Sequence, residues 1–157
     1  MNVPSCRLLV CGGRDFGDRA VLERALDVVA SLRQVGVVIH GAAPGADSLT
    51  ADWAKSRGLP VLAFPALAFP AQWQKDGALD RGAGFARNER MLREGKPDMG
   101  VGFPRASGRL GNGTRHMLSL LIASRVPAFL MEQGCWRRLE SPDDLDFTES
   151  AGAEVMA

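Results

Sequence analysis

The chain has 157 residues, 46% of them hydrophobic, with 19 basic and 18 acidic side chains and a formal net charge of +1. That size suits one compact domain, and that apolar content excludes a disordered chain. The near balance of charge excludes a global pull towards DNA or membranes, so any electropositive site has to be local.

The first residues lack the charged, then apolar, then small pattern of a secretory signal, and no apolar run approaches the roughly 20 residues that span a bilayer. A cytoplasmic protein is therefore expected, with no membrane partner. Cys6, Cys11 and Cys135 have no metal-ligand spacing. They are expected as reduced thiols, with Cys11 packed in the core, and neither a metal nor a cofactor is expected.

In chain order, RLLVCGG (7–13) reads as a buried strand closed by paired glycines. Asp18 then caps a helix whose Val21, Leu22, Ala25, Val28, Val29 and Leu32 recur at helical spacing. VGVVIHG (35–41) is a second strand rich in β-branched residues. GADSLTADWAKSRG (45–58) is a helix started near Asp47 and stopped at Gly58. PVLAFPA (60–66) is a third strand, and the next 15 or so residues, with Pro70 and Trp73, read as a long loop. GFARNERMLREG (84–95) returns to helix and DMGVGFP (98–104) is a fourth strand. After the loop RASGRLGNG, TRHMLSLLIASR (114–125) is a helix apolar nearly all round, and PAFLME (127–132) is the fifth strand.

Strands alternating with helices predict an α/β domain over 1–132: a Rossmann-like, doubly wound and mainly parallel sheet of about five strands, helices on both faces. Residues 133–157 are acidic and aperiodic and read as a tail, with Trp136 and Leu139 packed back and the last ten or so residues mobile. The almost wholly apolar helix at 114–125 favours a homodimer or higher homo-oligomer.

In an open doubly wound sheet ligands bind beyond the carboxyl ends of the strands, where the strand order reverses. With the order 3-2-1-4-5, strands 1 and 4 meet at that reversal. The two glycine-richest loops, CGGRDFGD and GRLGNGT, follow those two strands, so one crevice receives both. Backbone N–H groups of 12–14 and 111–114 suit a phosphate there, helped by the N-terminus of the following helix. Thr114 either offers its hydroxyl to the anion or caps that helix. Arg14, Arg87, Arg105, Arg109 and Arg115 fall in or beside segments bordering the crevice, and two or three of them are expected to face the ligand.

Common nucleotide fingerprints are absent. Arg14 stands where the middle glycine of the dinucleotide pattern would be, His40 stands where its acidic residue would be, and no Gly-Lys-Ser/Thr occurs. Asp47 is either an acceptor for ribose hydroxyls or a helix cap. His40 and His116 each admit a general acid–base role or a structural one. Trp73 either stacks on a base or closes the core edge, while Trp53 reads as packing.

Taken together, GGRDF, IHGAAPGADSLTADWA, QW, GAGFARNERML and GNGTRHM resemble the YspA-like branch of the SLOG superfamily, from about residue 6 to residue 132. That superfamily includes the LOG phosphoribohydrolases, molybdenum-cofactor carrier-like proteins and the DNA-processing protein DprA. The resemblance implies a Rossmann-like sheet and a site for a nucleotide or its derivative. Its ligand-facing positions fall on Gly12, Gly13 and Arg14, on Gly41, Gly45 and Asp47, on Arg87 and Asn88, and on Gly111, Gly113 and Thr114; Asn112, in the same loop, is a further candidate ligand-binding residue. Arg87-Asn88-Glu89-Arg90-Met91 resembles the Arg-Lys-x-x-Met segment of LOG enzymes. The glutamate those enzymes carry after their glycine loop is replaced here by the Arg115-His116-Met117 region, against LOG-type cleavage.

The leading expectation is thus a binding protein for a phosphorylated nucleotide or nucleotide derivative, acting as sensor, carrier or sequestering protein. An N-glycosidase using Arg87 with Asp47, Glu89 or His116 is the alternative. Single-stranded nucleic-acid binding is a further one, opposed by the balanced charge and few aromatics.

Overall fold

The computed structural model describes residues 5–66 and 81–146. The expected loop with Pro70 and Trp73, and the end of the chain from residue 147, lie outside the described residues.

Six strands form one sheet in the order β3-β2-β1-β4-β5-β6. They are β1 (Cys6–Gly12), β2 (Val35–His40), β3 (Val61–Ala63), β4 (Met99–Phe103), β5 (Ala128–Glu132) and β6 (Cys135–Leu139). The first five are parallel, in the expected order, and β1 lies between β2 and β4. β6 is a difference from the sequence reading. It pairs antiparallel with β5, and Gln133 and Gly134 between them both take positive φ, at 48° and 82°. CWRRL carries no clean alternation because it is an edge strand in a two-residue hairpin, held by pairing more than by pattern.

Four described helices cover the sheet: α1 (Arg19–Leu32), α2 (Ala46–Ser56), α3 (Arg81–Gly95) and α4 (Asn112–Ala123). Alternate strand residues serve the two faces. Leu8 and Val10 join α1 and α2 through Leu22, Leu26, Val29, Trp53 and Ala54. Leu9, Cys11 and Ile39 join α3 and α4 through Met91, Met117, Leu118 and Leu121. Continuous apolar strands are what a sheet covered on both faces requires. Trp53 is fully buried, its indole N–H donating to Asp27, in line with a packing role.

Helix starts differ in detail from the expectations. Asp18 does cap α1, accepting from the Val21 amide at 3.1 Å. α2, however, is preceded by Gly45 at φ 80°, and Asp47 sits inside its first turn. α4 is preceded by Gly111, so Thr114 is not its cap but a buried first-turn residue. The apolar circumference of α4 is accounted for inside one chain. Met117, Leu118 and Leu121 are buried, while Leu120 and Ile122 pack on the same cluster, which includes Leu145 of the Pro142–Leu145 turn. No described helix is long and apolar enough to cross a membrane.

Candidate functional site

The carboxyl ends of β1 and β4 lie side by side, with Gly12 in register with Phe103. The loops that follow them are in contact. Gly13 donates to Phe103 O at 3.1 Å, and the Ala106 amide donates to Asp15 at 2.9 Å. A Cβ on Gly13 would lie 2.6 Å from the Arg105 Cα, so only glycine allows the two loops to meet this closely. Beside them opens a cavity of about 310 Å³, within the range of small-ligand pockets.

Of the sequence-predicted positions, Gly12, Gly13, Arg14, Gly41, Asp47, Arg87, Asn88, Gly111, Asn112, Gly113 and Thr114 line this cavity. Gly45 does not; it packs under the Gly13 and Arg14 carbonyls. Glu89 and His116 are not among the lining residues either, and Glu89 is exposed. Of the five arginines, Arg14, Arg87 and Arg105 line the cavity, whereas Arg115 turns away to pair with Asp146 at 2.6 Å.

The glycines of the first loop have a different reason from the one expected. A Cβ on Gly12 would strike Ala46 Cβ at 2.6 Å, and Gly13 is filled by Arg105, so their missing side chains admit protein. In the second loop Gly108 and Gly113 face open space at their Cβ positions, Gly113 being the one that lines the cavity, and Gly111 lies beside the Arg105 side chain. The first N–H groups of α4 have no acceptor within the helix, which leaves that end suited to an anion.

The β2–α2 connection is clamped from both sides. Asp47 Oδ2 accepts from the Gly41 and Ala43 amides at 3.1 and 3.2 Å, and His40 Nδ1 accepts from Ala42 N at 2.9 Å. Together they hold Ala42 at φ 55°, a conformation alanine avoids. Asp47 Oδ1 is buried without a partner among the described residues, as is His40 Nε2. Burial pushes the Asp47 carboxyl up to about 6, against the pull of the two amides, Arg87 and Arg14. Burial and the Arg87 charge push His40 down, and since Nδ1 accepts from Ala42, the neutral ring would carry its proton on Nε2.

Arg87 crosses over this connection. Its Nη1 donates to Gly41 O at 2.5 Å, and a Cβ on Gly41 would fall on the guanidinium. Burial lowers its pKa, with Asp47 acting against that, yet the group stays cationic. Asn88 ties the site together: Oδ1 accepts from Arg87 Nε at 2.9 Å, and Nδ2 donates to Gly113 O at 3.0 Å and to His116 Nδ1 at 3.1 Å. Its amide is thereby engaged within the protein, as a strut between α3 and the start of α4. His116 stacks on Phe85 at 4.3 Å, and burial lowers its pKa.

Sequence reasoning missed Cys11, Asp15, Ala43, Ala66, Gly84, Phe85 and Met91 in the lining. A signal existed for α3: Gly84, Arg87, Asn88 and Met91 fall at i, i+3, i+4 and i+7, one helical stripe. Among the described residues no three His, Cys, Asp or Glu side chains form a metal-sized group.

The family model described as YspA, cpYpsA-related SLOG family matches residues 6–75. Gene 61 protein of Mycobacterium phage D29 is 36% identical over 127 residues, covering 77% of this chain and 92% of that protein. No solved structure matches the chain. The geometry of a glycine-lined crevice at the β1–β4 junction and this match agree: the chain belongs to the YspA, cpYpsA-related SLOG family.

Proposed function

We propose that the crevice binds a phosphorylated nucleotide or nucleotide derivative, and that the protein acts as its sensor, carrier or sequestering protein. Family membership supports a nucleotide-related binding or handling role in general terms. The single observation that carries the finer reading is the convergence of Arg14, Arg87 and Arg105 with the α4 N-terminus on one cavity, in a chain of net charge +1. Main-chain N–H groups of 111–114 would hold the phosphate, with Arg14 and Arg105 beside it; the expected share of 12–14 is reduced, since the Gly13 amide is spent on Phe103 O. Arg87 would balance its charge and Asp47 would face the sugar.

The test is a calorimetric panel of mono- and dinucleotides, cyclic nucleotides and ADP-ribose derivatives. At least one member is expected to bind, with a loss of about tenfold or more in Arg14→Ala and Arg105→Ala. No binding across the panel would remove the reading.

One observation favours the N-glycosidase alternative in a narrower form. Glu89 and His116 stand outside the cavity, but Asp47 is a buried acid that keeps its proton up to about pH 6, as a general acid near neutrality needs. Release of free base from a nucleoside monophosphate, abolished in Asp47→Asn, would replace the binding role with an enzymatic one.

A further inference from the structure

Two ends of the cavity make opposite demands on a ligand. At the β1–β4 end the wall offers donors: Arg105 and the main chain of 111–114 at the start of α4, with the Arg14 charge between that end and Asp47. Asp15, the acid at that rim, is exposed and engaged with the Ala106 amide at 2.9 Å. At the α2 end stands Asp47, which is only 5% exposed. Its Oδ2 is spent on the Gly41 and Ala43 amides, and its Oδ1 is the remaining acceptor, buried and unfilled.

A buried carboxylate oxygen without a donor is costly, and two kinds of ligand atom treat it oppositely. A hydroxyl or N–H fills it. A phosphate oxygen, an acceptor carrying negative charge, is repelled by it. Resting on the binding reading above, we propose that Asp47 is the specificity-determining residue of this site, selecting phosphate esters that carry hydroxyl groups over bare phosphate and polyphosphate anions. It also sets the ligand's direction, phosphate towards α4 and hydroxyls towards α2.

The groups facing Asp47 are Arg87 from α3, Arg14 from the first loop, the Cys11 thiol on β1 and the amides of its own connection. Burial keeps that thiol protonated, so it adds no competing charge. Selection is strongest where Asp47 is ionised, above about pH 6.

Substitution Asp47→Asn isolates the free oxygen. The amide oxygen can keep both clamp bonds while the NH2 puts a donor where Oδ1 was. Calorimetry at pH 7.5 with ribose 5-phosphate and inorganic phosphate is the experiment. Wild type is expected to favour the ester by about tenfold or more, and Asp47→Asn to bring that ratio close to one or invert it. A ratio unchanged in a variant that melts cooperatively overturns the selector role and leaves the anion site standing. Should the variant fail to fold, wild type with propyl phosphate decides: affinity no better than inorganic phosphate supports the proposal, and affinity equal to ribose 5-phosphate overturns it. Binding of none of the three probes overturns both this inference and the reading beneath it.

Discussion

Asp47 takes up a proton on folding over part of the acid range, because burial raises its carboxyl from 3.8 to about 6. The sign follows from linkage: its contribution to stability is fully present below about pH 4 and is lost as pH rises through about 6. At neutral pH the ionised, half-paired group costs up to about 3 kcal/mol. His40 and His116 act with the opposite sign, since burial lowers them, and their contribution fades as pH falls below 6.5. Comparing Asp47→Asn with wild type cancels the histidines. The variant is expected to melt higher at pH 7.5, and the two curves to converge only below about pH 4. A second prediction concerns Gly41, whose added methyl would meet Arg87 Nη1 at 2.5 Å. Gly41→Ala should cost about 1–3 kcal/mol by denaturant melt, and most of that cost should vanish in an Arg87→Ala background, the coupling expected of residues in contact.

At the scale of elements, the contact between the β1–α1 and β4–α4 loops is what makes the cavity. Gly13→Ala would drive a methyl into the Arg105 and Pro104 backbone, which has no flexible end to yield. It should destabilise the fold by about 1–3 kcal/mol and weaken phosphate binding without touching a charged group, as melts and calorimetry would show. How far this was legible in the sequence depends on the element. The meeting of CGGRDFGD with GRLGNGT followed from strand order alone, because parallel strands must be joined by crossovers and the reversal point is where crevices open. The places of Glu89 and His116 did not follow. Their sequence neighbours Asn88 and Arg115 are equally polar, and only the three-dimensional roll of each helix separates a strut from a surface acid. Phe85 and Met91 were hidden for a similar reason, since an apolar residue on a helix signals core and a cavity wall alike. The β6 strand escaped because five residues with two arginines make no two-residue period.

For the whole molecule, the segment read as a tail completes the sheet. β6 covers the edge of β5, Arg137 pairs with Glu132 across the hairpin at 3.0 Å, and Trp136 packs edge-on against Phe103 at 5.5 Å. Leu139 and Leu145 are both buried. A chain stopped after Gln133 should therefore lose its cooperative melt, whereas one stopped after Asp146 should keep it; equal melts would show that β6 adds little. The sheet also has a temporal side. β1 sits mid-sheet, and its β4 neighbour arrives from 90 positions further along the chain. Both walls of the cavity thus depend on one long, entropically expensive ring closure. On the proposed binding role, a nascent chain still short of β4 should have no binding competence, and ligand added in a chevron measurement is expected to slow the unfolding limb and leave the refolding limb unchanged.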